Sequence, residues 1–367
     1  MPTLAFALPT KIFFEEDCVK NHPEAFHLGK KALLVTGRSS ARHNGSEKDV
    51  LNILNAAGIA CQVFNEVDSN PDIAVIRRGA EAAKICNADF IIAIGGGSPM
   101  DAAKAIALTA CQDIPDEKLF DGNYQDAALP LVMLPTTAGT GSEVTPYSIL
   151  SDTYSQTKRT IASPLLFPRF ALLDPRYQQQ LPLPITIHTA LDALSHNIES
   201  CLSKKSNVLI TALAQEGIHA IGTCFPALCG QSPITQGIRS QLMYGSLLGG
   251  IAIAHTGTNI VHALGYSLTY FRHIDHGRAN ALLLVAFLQW ISSTAPQQIK
   301  AILDAAGCPD IQTLQHIIDQ LLGSKETFSE NELQQWTKIA AQAKNIYTGL
   351  RTPSVDDILS LYRQSLI

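Results

Sequence analysis

The stretch that most narrows the fold is Asp89-Phe-Ile-Ile-Ala-Ile94, an unbroken apolar run passing straight into Gly95-Gly96-Gly97-Ser98. A strand that is apolar on both faces must be covered on both, and in a parallel sheet helices provide that cover. From Pro99 the pattern turns helical through Thr109, and the same alternation precedes it. Lys31–Thr36 reads as a buried strand ended by Gly37, and Ser46–Ala57 as a helix stopped at Gly58. Ala60–Asn65 is the next strand and Pro71–Cys86 the next helix, while residues 4–15 alternate as a short edge strand or hairpin. This spacing predicts a parallel, Rossmann-like sheet with right-handed crossovers.

The character changes after Pro130-Leu-Val-Met-Leu134. Pro135–Pro146 is rich in Thr, Gly and Ser, Thr160–Asp174 reads as extended, and beyond residue 180 the pattern is helical throughout. The expected organisation is an α/β domain over 1–180 and an all-α domain over 181–367. A chain of 367 residues with 46% apolar content is long enough for two such cores. The net charge of −5 and the lack of a basic run give nucleic-acid binding no electrostatic support. No apolar run has the length of a membrane span, and Met-Pro-Thr-Leu-Ala-Phe lacks the form of a secretion signal. Eight cysteines without CxxC spacing read as reduced thiols of a cytoplasmic protein.

In the helical half, Pro184 suits the first turn of a helix running to about Ser200. Asp192 and His196 are four residues apart, so they share one face of it. On that pair alone, a cap-like Asp and a core His are the simpler reading. His262, inside an apolar helical run, and His276, before a glycine that permits a tight bend, shift the balance. One carboxylate and three imidazoles suit Fe²⁺ or Zn²⁺ and leave room for a substrate oxygen.

Gly95, Gly96, Gly97 and Ser98 join a strand's carboxyl end to a helix N-terminus, where backbone amides and the helix dipole attract phosphate. Thr136-Thr137-Ala-Gly-Thr140-Gly-Ser142 offers a second cluster of hydroxyls and amides. The first strand ends Gly37-Arg38-Ser39-Ser40-Ala-Arg42, without an acid for a ribose diol. Its arginines and serines suit a 2′-phosphate, favouring NADP(H) over NAD(H).

With both clusters, the chain resembles the iron-containing (group III) alcohol dehydrogenase family along essentially its full length. The resemblance rests on Gly95-Gly-Gly-Ser-Pro-Met-Asp101, Pro135-Thr-Thr-Ala-Gly-Thr-Gly-Ser-Glu-Val-Thr145, Asp192-Ala-Leu-Ser-His196, and His262 with His276-Gly-Arg-Ala-Asn280. It is strongest toward the shorter NADP-using members related to 1,3-propanediol dehydrogenases, through Val35–Ser40 and Glu143–Ile149. The resemblance implies a dehydroquinate synthase-like architecture and metal ligation by Asp192, His196, His262 and His276. It implies pyrophosphate binding at Gly95–Ser98, with Asp101, Thr136, Thr137, Thr140 and Ser142 along the cofactor path. By the same resemblance, Lys158 would fall near the cofactor ribose and Asn70 on the adenine side. The activity implied is hydride transfer between NADP(H) or NAD(H) and a small primary alcohol, diol or aldehyde in an interdomain cleft, by a homodimer or larger assembly.

Three departures bear on the chemistry. Tyr266 stands where many members have a second histidine, so a His relay from that position is unavailable and the proton carrier is left to Tyr266, a cofactor ribose hydroxyl or water; Asp275 replaces a frequent proline, and Tyr147 falls where some members place a polar substrate-facing residue. The rival reading is a dehydroquinate-synthase-like lyase or another polyol or phosphopolyol dehydrogenase of this architecture. A lyase with a charged substrate needs several Lys and Arg near the ligands, and the helical half has few there.

Overall fold

The computed structural model describes residues 4–367, so the reading of the extreme N-terminus falls partly on residues 1–3, outside the described residues. The chain divides into two compact units. One comprises 7–137 and 141–181; the other comprises 182–367, the short segment 138–140 and the N-terminal segment ending at Phe6.

The first unit is an α/β layer structure around a six-stranded sheet of order β1-β8-β5-β4-β2-β3, every pairing parallel. The strands are β1 (Lys11–Phe14), β2 (Lys31–Gly37), β3 (Ala60–Val67), β4 (Phe90–Gly95), β5 (Leu131–Pro135) and β8 (Phe170–Leu173). Its long helices are α1 (Ser46–Ala56), α2 (Ile73–Ile85) and α3 (Gly97–Cys111). β6 (Tyr147–Asp152) and β7 (Thr157–Ala162) form a separate antiparallel pair. The all-apolar run of β4 is explained by the layers. Ile91 and Ala93 pack with Met100, Ala103 and Ile106 of α3 and Ile76 of α2, whereas Phe90, Ile92 and Ile94 pack with Val50 and Leu54 of α1. Each such buried aliphatic or aromatic side chain contributes about 1.5–3 kcal/mol.

Residues 4–15 resolve as an edge strand rather than a hairpin, because β1 pairs with β8, far along the chain. The extended reading of Thr160–Asp174 becomes the end of β7 and all of β8, separated by a 3₁₀ turn at Pro164–Leu166. From β2 the chain moves outward to β3 and then returns to the other side of β2 as β4. Beside the carboxyl ends of β2 and β4 the connections diverge, and open α/β sheets bind ligands at such points. Gly37–Ser40 and Gly95–Ser98 both lie there.

The second unit is helical: α4 (Leu183–Cys201), α5 (Val208–Gly222), α6 (Gln236–Thr256), α7 (Ile260–Arg272), α8 (His276–Ile291), α9 (Pro296–Ala306), α10 (Ile311–Leu322), α11 (Glu330–Ala340) and α12 (Val355–Leu366). Every residue of α4 from Ala190 to Cys201 is buried, among them Asp192, Ser195, His196, Asn197, Glu199 and Ser200. α5, α6 and α8 surround it. A buried helix with this many polar groups demands partners for each. Among the described residues no single helix is long and apolar enough to cross a membrane.

Candidate metal centre and dinucleotide site

The partners demanded by α4 converge on its Asp192–Glu199 face. Asp192, His196 and His262 each place one ligand atom within 4.8 Å of the other two. His262 Nε2 lies 3.6 Å, and His276 Nε2 3.8 Å, from Asp192 Oδ1. Two donors about 2.1 Å from one ion at a tetrahedral angle stand roughly 3.4 Å apart, so these spacings are those of a ligand shell. The rings of His196 and His262 stack with centroids 4.6 Å apart, and His262 meets His276 edge-on at 5.3 Å. His276 is half-buried at the rim, while the other three are enclosed.

The tautomers follow from the outer partners. His196 Nδ1 faces the Gly139 carbonyl at 3.2 Å, which can only accept, so Nδ1 carries the hydrogen and Nε2 a lone pair. His262 Nδ1 donates to Glu199 at 2.5 Å, a carboxylate that also accepts the backbone N–H of Asn259 and Val261. His262 Nε2 is thereby left buried without a hydrogen-bond partner. A buried lone pair beside a carboxylate fits a divalent ion. Without an ion, burial disfavours charge at His262, but Glu199 and Asp192 outweigh it and lift its pKa to about 9, so a divalent ion would take the place of a proton on Nε2. Burial also opposes ionisation of Asp192, yet the neighbouring histidines, His196 first, hold its carboxyl far below the usual carboxylate range. Burial pulls His196 down.

Gly277 does not make the bend expected of it. It is the second residue of α8, and a Cβ there would stand 1.8 Å from the His188 carbonyl oxygen and 2.9 Å from Asp192 Cβ. The missing side chain lets α8 touch the backbone of α4, which sets His276 beside Asp192. Asn280, one turn further on, donates to Asp192 Oδ1 at 2.9 Å. Asp275, in the place of the proline, pairs with His188 at 2.7 Å. The Tyr266 ring stacks on His276 with centroids 5.7 Å apart.

In the α/β unit the expected cofactor residues gather at the sheet's carboxyl ends. Gly95 has φ +150°, and a Cβ there would meet Pro99 at 2.6 Å, so only glycine fits between β4 and α3. The Asn70 N–H donates to Ser98 Oγ at 3.2 Å, and the Asn70 carbonyl accepts from Ser151, the cross-strand partner of Lys158. The Thr136 N–H donates to the Gly95 carbonyl, and Ser142 Oγ to Asp101 at 2.6 Å. Thr140, grouped with these in sequence, belongs to the helical unit. The acid missing from the end of β2 is supplied from the end of β3: Asp68 binds Arg38 through two contacts of 2.6 Å. Arg42 is held by Glu47.

The profile of the iron-containing alcohol dehydrogenase family matches residues 9–175, and that of the C-terminal part of the Fe-containing family matches 186–366. The chain belongs to the iron-containing alcohol dehydrogenase family. This family member is 30% identical to the NADPH-dependent butanol dehydrogenase of Clostridium saccharobutylicum, over 87% of this chain and 82% of that one. It is 29% identical to the 1,3-propanediol dehydrogenase of Citrobacter freundii over 98% of both. An iron-containing alcohol dehydrogenase structure from Thermotoga maritima superposes with a TM-score of 0.92 at 36% identity, covering 99% of each chain. The chain is thus an enzyme of the iron-type alcohol dehydrogenases, an oxidoreductase, with the α/β and all-α architecture of the family.

Sequence reasoning missed Glu199, although it falls three residues after His196 and seven after Asp192, on the same helix face. Lys104 was missed too, the one basic residue of an otherwise largely apolar helix.

Proposed function

We propose that the enzyme interconverts a small primary alcohol or diol and its aldehyde with NADP(H), using a divalent ion, Fe²⁺ or alternatively Zn²⁺, held by Asp192, His196, His262 and His276. The observation that carries this reading is the buried, partnerless Nε2 of His262, 3.6 Å from Asp192 Oδ1. Bound there, the ion supplies Lewis acidity toward an alcohol or aldehyde oxygen, and the nicotinamide accepts or supplies the hydride. Gly139 and Glu199 fix the imidazole tautomers so that both lone pairs point inward. Asn280 orients the Asp192 carboxylate. Tyr266, stacked on His276, is the proposed proton carrier.

Gly95–Ser98 and the first turn of α3 would cradle the pyrophosphate, with Asn70, Asp101, Thr136, Thr137, Ser142 and Lys158 around them. Arg38 supports the choice of NADP(H). Its ion pair with Asp68 is exposed, at 74% and 61%, and solvent screens such a pair, so a 2′-phosphate can recruit Arg38. Eight free cysteines agree with a reducing, cytoplasmic setting.

The test is a panel of short alcohols, diols and aldehydes with NADP(H) and NAD(H), after chelation and after Fe²⁺ or Zn²⁺ add-back. Steady NADPH consumption with an aldehyde, abolished by chelation and restored by metal, is expected. Turnover without net nicotinamide change would favour a lyase and overturn the reading.

A further inference from the structure

Lys104 is fully buried in the middle of α3, and no step above uses it. Its Nζ donates to Ser142 Oγ at 2.7 Å, Thr145 Oγ1 at 3.1 Å and the Tyr147 carbonyl at 2.8 Å. Ser142 Oγ passes its own hydrogen to Asp101 Oδ1 at 2.6 Å, so an ammonium and a carboxylate one turn apart on α3 are joined through a hydroxyl of the loop. The second oxygen of Asp101 accepts the Ile149 N–H, and the Asp101 carbonyl accepts from Ser148. The loop itself is a single 3₁₀ turn, Ser142–Val144, with Gly141 at φ +60° before it and β6 only after it. Little in its own backbone fixes it.

A methionine would fill the same space without the cost of a buried charge. What the ammonium adds is attachment: it ties three acceptors of an irregular loop to the helix whose first turn is Gly97–Met100.

We propose that Lys104 is a positioning residue of the dinucleotide site, touching no ligand but, together with the Asp101 carboxylate, locking the Ser142–Tyr147 loop to α3 so that loop and helix N-terminus present one preformed cradle. The inference rests on the cofactor reading above. Glu143, buried beside it, is the other charge facing Lys104 along with Asp101. Burial draws the ammonium down to about 8, so it remains mainly charged at neutral pH.

The experiment titrates NADH and NADPH into the full-length, metal-loaded enzyme by fluorescence, for the wild type and for Gly97→Asp, Lys104→Met and Thr145→Val. Gly97→Asp places a carboxylate at the start of α3, which favours the helix but repels a pyrophosphate. Wild-type binding with loss in Gly97→Asp upholds the cofactor reading; no binding by the wild type removes that reading and this inference with it. Lys104→Met is expected to raise Kd about 10-fold or more, leaving buried acceptors unmet. Metal content and kcat at saturating dinucleotide should stay within about 3-fold, a split that general destabilisation would not give. Thr145→Val, which removes one acceptor at constant shape, should raise Kd about 3-fold and serves where the Met variant does not fold. Unchanged Kd in a folded Lys104→Met or in Thr145→Val, with Gly97→Asp still defective, overturns this inference alone. So does a joint loss of dinucleotide affinity, metal content and kcat.

Discussion

Glu199→Gln removes one charge and almost no volume directly behind His262, one of the proposed metal ligands. In the wild type the fully buried carboxylate accepts from Asn259 N at 3.1 Å, Val261 N at 2.6 Å and His262 Nδ1 at 2.5 Å. A glutamine offers one acceptor oxygen and a donor NH₂, so at least one buried N–H loses its partner. That costs about 1–3 kcal/mol. In a unit of this size each kcal/mol moves Tm by roughly 2–4 °C, so the metal-free variant should melt about 2–12 °C lower. Losing the anion behind a ligating histidine weakens metal binding about 10- to 100-fold, equivalent to about 1.4–2.7 kcal/mol. The assay is anaerobic competition for Fe²⁺ or Zn²⁺ against a chromophoric chelator, paired with melts at fixed free metal. The metal-induced rise in Tm should shrink in step with the affinity, because stabilisation follows RT ln(1 + [L]/Kd). A folded Glu199→Gln protein with wild-type metal affinity would refute the idea that Glu199 sets the His262 lone pair.

Three further outcomes follow from the same geometry. Gly277→Ala should separate α4 from α8, destabilise by about 3 kcal/mol or more and lower metal content, since its Cβ would lie 1.8 Å from the His188 oxygen; a melt within 2 °C of wild type would contradict it. Burial raises Glu143 from 4.5 to about 7, so the folded state binds more protons than the unfolded one between those values and stability falls as pH rises through that window. Glu143→Gln should flatten that fall and raise stability at pH 8 by at most about 3 kcal/mol, read from urea melts at pH 5 and pH 8. Asp68→Asn should release Arg38 and raise the NADPH-to-NADH ratio of kcat/KM several-fold; a ratio that falls would instead make Asp68 a partner of the NAD ribose.

The α/β half was legible because its signals are local: apolar runs with Gly stops, and a helix pattern immediately after Gly97. The residues at 192, 196, 262 and 276 were legible as a candidate metal set, since few other uses explain three imidazoles on apolar helices. Asp68 was not, because it meets Arg38 only through the pairing of β2 with β3, and its partner lies 30 residues away. Gly277 was misread as a bend because a close helix–helix approach leaves no local trace. Glu199 carried a usable signal in its spacing from Asp192 and His196, but a search for ligands passes over the residue behind a ligand. β1 illustrates the same limit, an edge strand whose neighbour β8 begins at Phe170.

The central claim is best tested by iron-edge X-ray absorption and anomalous diffraction on the anaerobically reconstituted enzyme. The account predicts one ion per chain bound by an Asp192 oxygen and by nitrogens of His196, His262 and His276, with Glu199 hydrogen-bonded behind His262. An ion bound elsewhere, or an ion at this site that leaves His262 Nε2 uncoordinated, would contradict it.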